Sequence, residues 1–306
     1  MSRRPGHPAR GRGPGGPRRA GRPHEAKPER LPWVRRPFEG LASEADLVAL
    51  REVVPSATAP LTLTGDAVPD EDKGREVLLA TVLPLAWSAM VRRDGAIVLA
   101  LQTPQRSGDT ARDLGQALSI ALTSAPGSGV GNLPAPTADD PRLHDLVDPG
   151  PITISVHDGF DWWIGAATDD LDDEVQASLQ QANASVVPTT RLSGVDAAYW
   201  CRIGDRTHLR WALPQDEDRL LDAFARMHLR GELALGAGTK YIGAFRALGL
   251  LVPVWDLQDD SSPDAVEPVA AAFHEVLEKT LTDPAPLTTD ERRARAGVVS
   301  RQVTLR

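Results

Sequence analysis

At 306 residues, 41% hydrophobic and 25% charged, the chain has the composition of an ordinary globular protein and the length to bury a substantial core. Its single cysteine excludes an intramolecular disulfide framework and fits a reducing, cytoplasmic compartment, and no apolar run approaches the ~18–20 residues that cross a bilayer. The net charge of −8 is split: residues 1–30 hold nine basic side chains against two acidic ones, a net +7, so the remainder carries −15.

The opening "MSRRPGHPARGRGPGG" has no apolar segment behind its arginines, so it does not read as a secretory signal. With little to bury, residues 1–32 are expected to form a disordered basic arm, and residues 33–306 the globular part. Ser43 and Asp46 mark a helix start, with Leu47, Leu50, Val53 and Val54 at helical spacing before Pro55. Two β-rich runs, about 76–83 and 96–102, flank the Asp94-Gly95 turn signal. Asp109 then opens a helix with Leu114, Ala117, Leu118, Ala121 and Leu122 on one stripe. Residues 125–150, rich in Pro, Gly and Asp, read as a linker or long loop at which the globular part could divide.

Beyond it, "PITISVHDGFDWWIGA" reads as a hairpin about Asp158-Gly159, and "TDDLDDEVQASLQQANA" as a helix with acids in its first turn. In "AAYWCRIGDRTHLRWAL", a three-residue turn at 204–206 pairs Cys201 with Leu209 and puts Tyr199, Cys201, Ile203, Leu209, Trp211 and Leu213 on one apolar face. Trp200, Arg202, His208 and Arg210 would then share the other face, with Arg210 over the Trp200 ring. "QDEDRLLDAFARMHLRG" predicts a helix, as do "GTKYIGAFRALG" and Pro268–Leu281, while "LLVPVWDL" predicts a strand. Paired strands among amphipathic helices give an α+β class, with largely antiparallel sheets and helices packed on one face.

Two groups of side chains could carry function. The Trp200, Arg202, His208 and Arg210 face would suit a small anionic ligand or a partner protein. His157, Asp158 and Asp161 would suit acid–base work in a hydrolase or transferase. Cys201, on the apolar face and away from His208, reads as core rather than nucleophile. The glycines of "PGSGVGNLP" and "GELALGAGTK" have the wrong spacing and context for nucleotide loops. No residue pattern calls for a metal or a cofactor.

The segments "RPFEGLASEADLVALREVVPSAT", "VDAAYWCRIGDRTHLRWALP", "RLLDAFARMHLRGELALGAGTKYIGAFRALGLLVPVWDL" and "LTTDERRARAGVVSRQVTL" resemble an uncharacterised actinobacterial family, a domain of unknown function, from about Arg36 to the C-terminus. The resemblance implies relatives with a SecA-type zinc motif just before "RPFEGL". This chain has no cysteine there, so the site does not carry over. No activity follows from the resemblance. The expectation is therefore a cytoplasmic, non-enzymatic module that binds a ligand or partner. One alternative is a nucleic-acid-associated protein using residues 1–30 and the Arg/Trp face. Another is the hydrolase or transferase around His157, with no membrane role in any case.

Overall fold

The structure is a computed structural model that describes residues 31–103, 107–131, 133–164, 173–258 and 260–301. The basic arm, residues 1–30, lies outside the described residues, as do 165–172, where the acidic helix was expected to begin.

The first helix, α1 (Glu44–Glu52), starts beside Ser43 and buries nearly its whole length. Strands β1 (Ala57–Leu61), β2 (Val77–Ala80), β3 (Ala89–Val91), β4 (Ile97–Ala100), β5 (Gly129–Val130) and β6 (Ser155–Val156) form one sheet in the order β5-β3-β4-β2-β1-β6. Among the described strands only β2 and β4 pair in parallel. The Asp94-Gly95 turn therefore joins β4 to β3, a strand the composition hid, and not to β2. Helix α2 (Thr110–Leu122) lies along β3, β4 and β5, its Asp109 side chain accepting a bond from the Arg112 amide at 3.4 Å.

Residues 125–150 are more than a linker. They supply β5, and Val130, Leu143, Leu146 and Val147 enter the first core. Gly129 has its place because of Trp87: an added Cβ would come 2.5 Å from the indole ring. That close approach, not a phosphate, accounts for a glycine in "PGSGVGNLP".

After α3 (Asp173–Ala184), strands β7 (Thr189–Arg191), β8 (Ala198–Ile203), β9 (Arg206–Trp211), β10 (Lys240–Ala247) and β11 (Leu250–Asp256) build a second, fully antiparallel sheet in the order β10-β11-β9-β8-β7. One face buries Trp200, Leu209, Trp211, Tyr241 and Trp255 against α4 (Glu217–Arg230) and α5 (Pro263–Leu281). The other face gives Tyr199, Ala212, Ala247 and Val252 to the core that also holds α1 and α2. With six helices among the described residues and two mostly antiparallel sheets, the fold is α+β; the second sheet carries helices on both faces rather than on one.

One expectation gives way here. The segment "GTKYIGAFRALG" is strand β10 rather than a helix. A bulge between Tyr241 and Gly243 breaks its alternation and mimics helical spacing. Leu248 and Gly249, at φ +43° and +84°, make the tight turn into β11. The chain's end carries one more helix. There α6 (Thr289–Val299) follows a capping box in which Thr288 and Glu291 exchange bonds, a signal "TTDE" carries in plain view.

Candidate functional site

The hairpin of β8 and β9 has a two-residue turn, Gly204-Asp205, with Gly204 at φ +59°, the conformation a leading glycine supplies in type II′ turns. Ile203 pairs with Arg206, Cys201 with His208, Trp200 with Leu209 and Tyr199 with Arg210. This register is one residue off the expected one. A one-residue slip moves every side chain of one strand to the opposite face.

The slip divides the expected Arg/Trp face. Trp200 and Arg202 lie on the side of α5, where Trp200 is 6% exposed and its Nε1 donates to the Ser261 carbonyl at 3.1 Å. His208 and Arg210 lie on the reverse side, opposite Cys201 and Tyr199. The cation over the indole is Arg202, 5.5 Å from the ring centroid, not Arg210. The four residues thus make no single surface. Alternation misled because both faces of this sheet are buried, and the apolar parity rule holds only when one face is wet.

The same register brings Cys201 and His208 to directly opposed positions, correcting the expectation that they could not meet. His208 in turn pairs with Asp256 of β11, Nδ1 to Oδ1 at 2.9 Å. A cysteine, a histidine and an aspartate therefore stand in a row on three strands. Cys201 is nonetheless 1% exposed, and burial pushes its thiol up, opposed only by Arg210. A closed, protonated thiol is a poor nucleophile. DTNB should label Cys201 slowly in native buffer and rapidly in denaturant. Stoichiometric labelling of the folded protein within the mixing time would overturn this burial.

His157, Asp158 and Asp161 do come together. β6 adds to the edge of the first sheet through Ala57 and Thr58, and the chain then turns at Gly159 into a 3₁₀ turn, Asp161–Trp163, instead of a returning strand. Ser56 pins this turn from both sides. Its hydroxyl donates to the Gly159 carbonyl at 2.6 Å and accepts from Trp162 Nε1 at 2.9 Å. Trp163 Nε1 donates to the Val82 carbonyl at 2.9 Å, and its ring stacks on Phe160 at 4.4 Å. Both tryptophans thereby cover Ala80, Val98 and Ala100 on the outer face of the sheet.

Over this turn opens a depression of about 390 Å³, lined by Val156, His157, Asp158, Gly159, Asp161, Trp162 and Asn183. Asn183, near the end of α3, accepts from the Phe160 amide at 2.7 Å and donates to Asp161 Oδ1 at 3.4 Å. No local sequence signal marks Asn183, since only the folding of α3 against the turn brings it there. His157 Nε2 is hydrogen-bonded to the Thr58 hydroxyl at 2.8 Å. Burial lowers the imidazole's pKa, with Asp158 pulling the other way, so the ring is held toward its neutral form. The depression thus offers two exposed carboxylates, a neutral imidazole and an indole wall, with no lysine or arginine among the described residues of its lining.

A family model described as "Family of unknown function (DUF5926)" matches residues 37–306. No curated protein and no solved structure matches the chain.

Proposed function

The chain belongs to this family of unknown function, and we propose that it is a cytoplasmic, non-enzymatic protein that binds a small cationic ligand in the His157–Asn183 depression. One observation carries the proposal: two carboxylates, an indole and a carboxamide converge on one open concavity of about 390 Å³. Concave sites with an apolar wall and a few converging polar groups are the usual form of small-molecule sites. Asp158 and Asp161 supply unbalanced negative charge, and the Trp162 ring supplies a surface that attracts cations.

The acid–base alternative has less support. His157 Nε2 is held by Thr58, a buried residue outside the depression's lining, so no nucleophile is presented there beside a free base. No helix among the described residues is long and apolar enough to cross a membrane.

Titration of the full chain with choline, tyramine and spermidine, read by tryptophan fluorescence, tests the proposal. At least one should bind saturably, and Asp158→Asn with Asp161→Asn should abolish binding while leaving the melting temperature within a degree or two, as for exposed charges. Absence of binding by all three would overturn it. Salt-sensitive nucleic-acid binding that disappears on deletion of residues 1–30 would move the function to the basic arm.

A further inference from the structure

A second cleft, of about 270 Å³, lies between the last turn of α4 and the start of β10. His228, Gly231, Leu233, Ala234, Thr239, Lys240, Tyr241 and Arg301 line it. Its electrostatics are the reverse of the first depression: among the described residues it is lined by two permanent cations and a histidine, and by no carboxylate. Among the described residues, none of His228, Lys240 and Arg301 forms an ion pair. The nearest acid in sequence, Glu232, is taken by Arg230 at 2.6 Å.

The floor of the cleft adds an independent observation. Tyr241 is 4% exposed, its ring packs edge-on against Phe224 and Trp255, and its hydroxyl has no hydrogen-bond partner among the described residues. Buried hydroxyls without partners are rare because the lost hydration is not repaid, and each asks for an explanation. Burial pushes this phenol up to about 12, with Arg301 and Arg246 drawing it down. It is therefore a neutral donor with guanidinium charge beside it. The Thr239 hydroxyl is already committed to the Gly236 carbonyl at 3.0 Å, which leaves Tyr241 as the unspent donor.

We propose that this cleft is a binding site for a phosphoryl group, held by the charges of Lys240 and Arg301, by the His228 ring beside them and by a hydrogen bond donated from the Tyr241 hydroxyl. A dianion matches several cations better than a carboxylate does, and its oxygens accept the phenol proton. The volume exceeds that of several waters at about 30 Å³ each, so it has room for a phosphate ester as well as for the free ion. The rim is the Gly-rich "GELALGAGTK". It is no nucleotide loop by spacing, but Gly236 and Gly238, at φ +85° and +77°, curl it around the cleft.

Calorimetric titration of the full chain with inorganic phosphate and with phenyl phosphate is the test, with acetate at equal ionic strength as control. Saturable binding of either phosphate but not of acetate is expected, and the tighter of the two identifies the free ion or the ester as the natural form. Tyr241→Phe should weaken binding about tenfold or more, as for loss of a hydrogen bond to a charged group. It should not lower the melting temperature, because the hydroxyl it removes has no partner among the described residues. Should Tyr241→Phe fail to fold, Lys240→Gln with Arg301→Gln decides, since both side chains are exposed. Absence of phosphate binding, or binding unchanged in that double variant, overturns the proposal. Asp158→Asn and Asp161→Asn should leave phosphate binding intact, which keeps this result separate from that at the first depression.

Discussion

Asp46→Ala is expected to destabilise the protein by about 3–5 kcal/mol, the range for removing one member of a buried ion pair. Asp46, 6% exposed on α1, accepts two bonds from Arg191, Nε to Oδ1 at 3.0 Å and Nη2 to Oδ2 at 2.9 Å. It accepts a third from the Tyr199 hydroxyl at 2.6 Å. Arg191 belongs to β7 and Tyr199 to β8, so one carboxylate fastens α1 to the edge of the second sheet. Alanine would leave the half-buried guanidinium with only its 3.4 Å contacts to Asp196 and the Leu192 carbonyl, and would orphan the buried phenol. Tyr199→Phe removes one bond and leaves the bidentate pair, so about 1 kcal/mol is expected there. Urea melts of both variants give the comparison. A loss below about 1 kcal/mol for Asp46→Ala would mean that water replaces the carboxylate and that α1 is held by apolar contacts alone.

Trp255→Ala is expected to cost a similar amount, about 3–5 kcal/mol, by a different mechanism. Trp255 on β11 is fully buried, with Trp211, Phe224, Tyr241 and Phe273 around it at ring separations of 5.2 to 6.4 Å. Truncation opens a cavity that rings held by α4, α5 and their own strands cannot collapse to fill. Its Nε1 also donates to the Leu233 carbonyl at 2.8 Å, so Trp255→Phe keeps most of the packing but orphans that oxygen, at about 1–3 kcal/mol. Against a typical total of about 5–15 kcal/mol, the alanine variant should be marginal at best. Guanidinium unfolding followed by near-ultraviolet circular dichroism reads both. If Trp255→Ala loses less than about 1.5 kcal/mol, the aromatic cluster repacks and is not the rigid centre of the second sheet.

Helix positions were legible in the sequence wherever a cap and a 3.6-residue stripe coincided. Asp109 before α2 accepts the bond its position implies, and in α4 Leu220, Leu221, Phe224 and Met227 are buried as helical spacing requires. The α+β class was legible too, because it needs only the kinds of element and their interleaving. The chemistry of the candidate site was legible in "HDGFDWW", a cluster contiguous in the chain, although its geometry as a 3₁₀ turn was not.

Register and face belonged to the tertiary structure. Whether Cys201 meets Leu209 or His208 turns on one residue of loop length, and side-chain polarity cannot choose when α5 covers one face and the α1 core the other. The bulge at Gly243 likewise disguised a strand, since alternation is the only signal a strand sends and one inserted residue interrupts it. Asn183, Asp256 and Arg301 reach their sites across intervals of chain that carry no local signature. The sequence by itself determined the capped, striped helices and which side chains carry charge, because those depend on near neighbours. Only the closed fold decided which of them meet, because long-range contacts depend on every element packing at once.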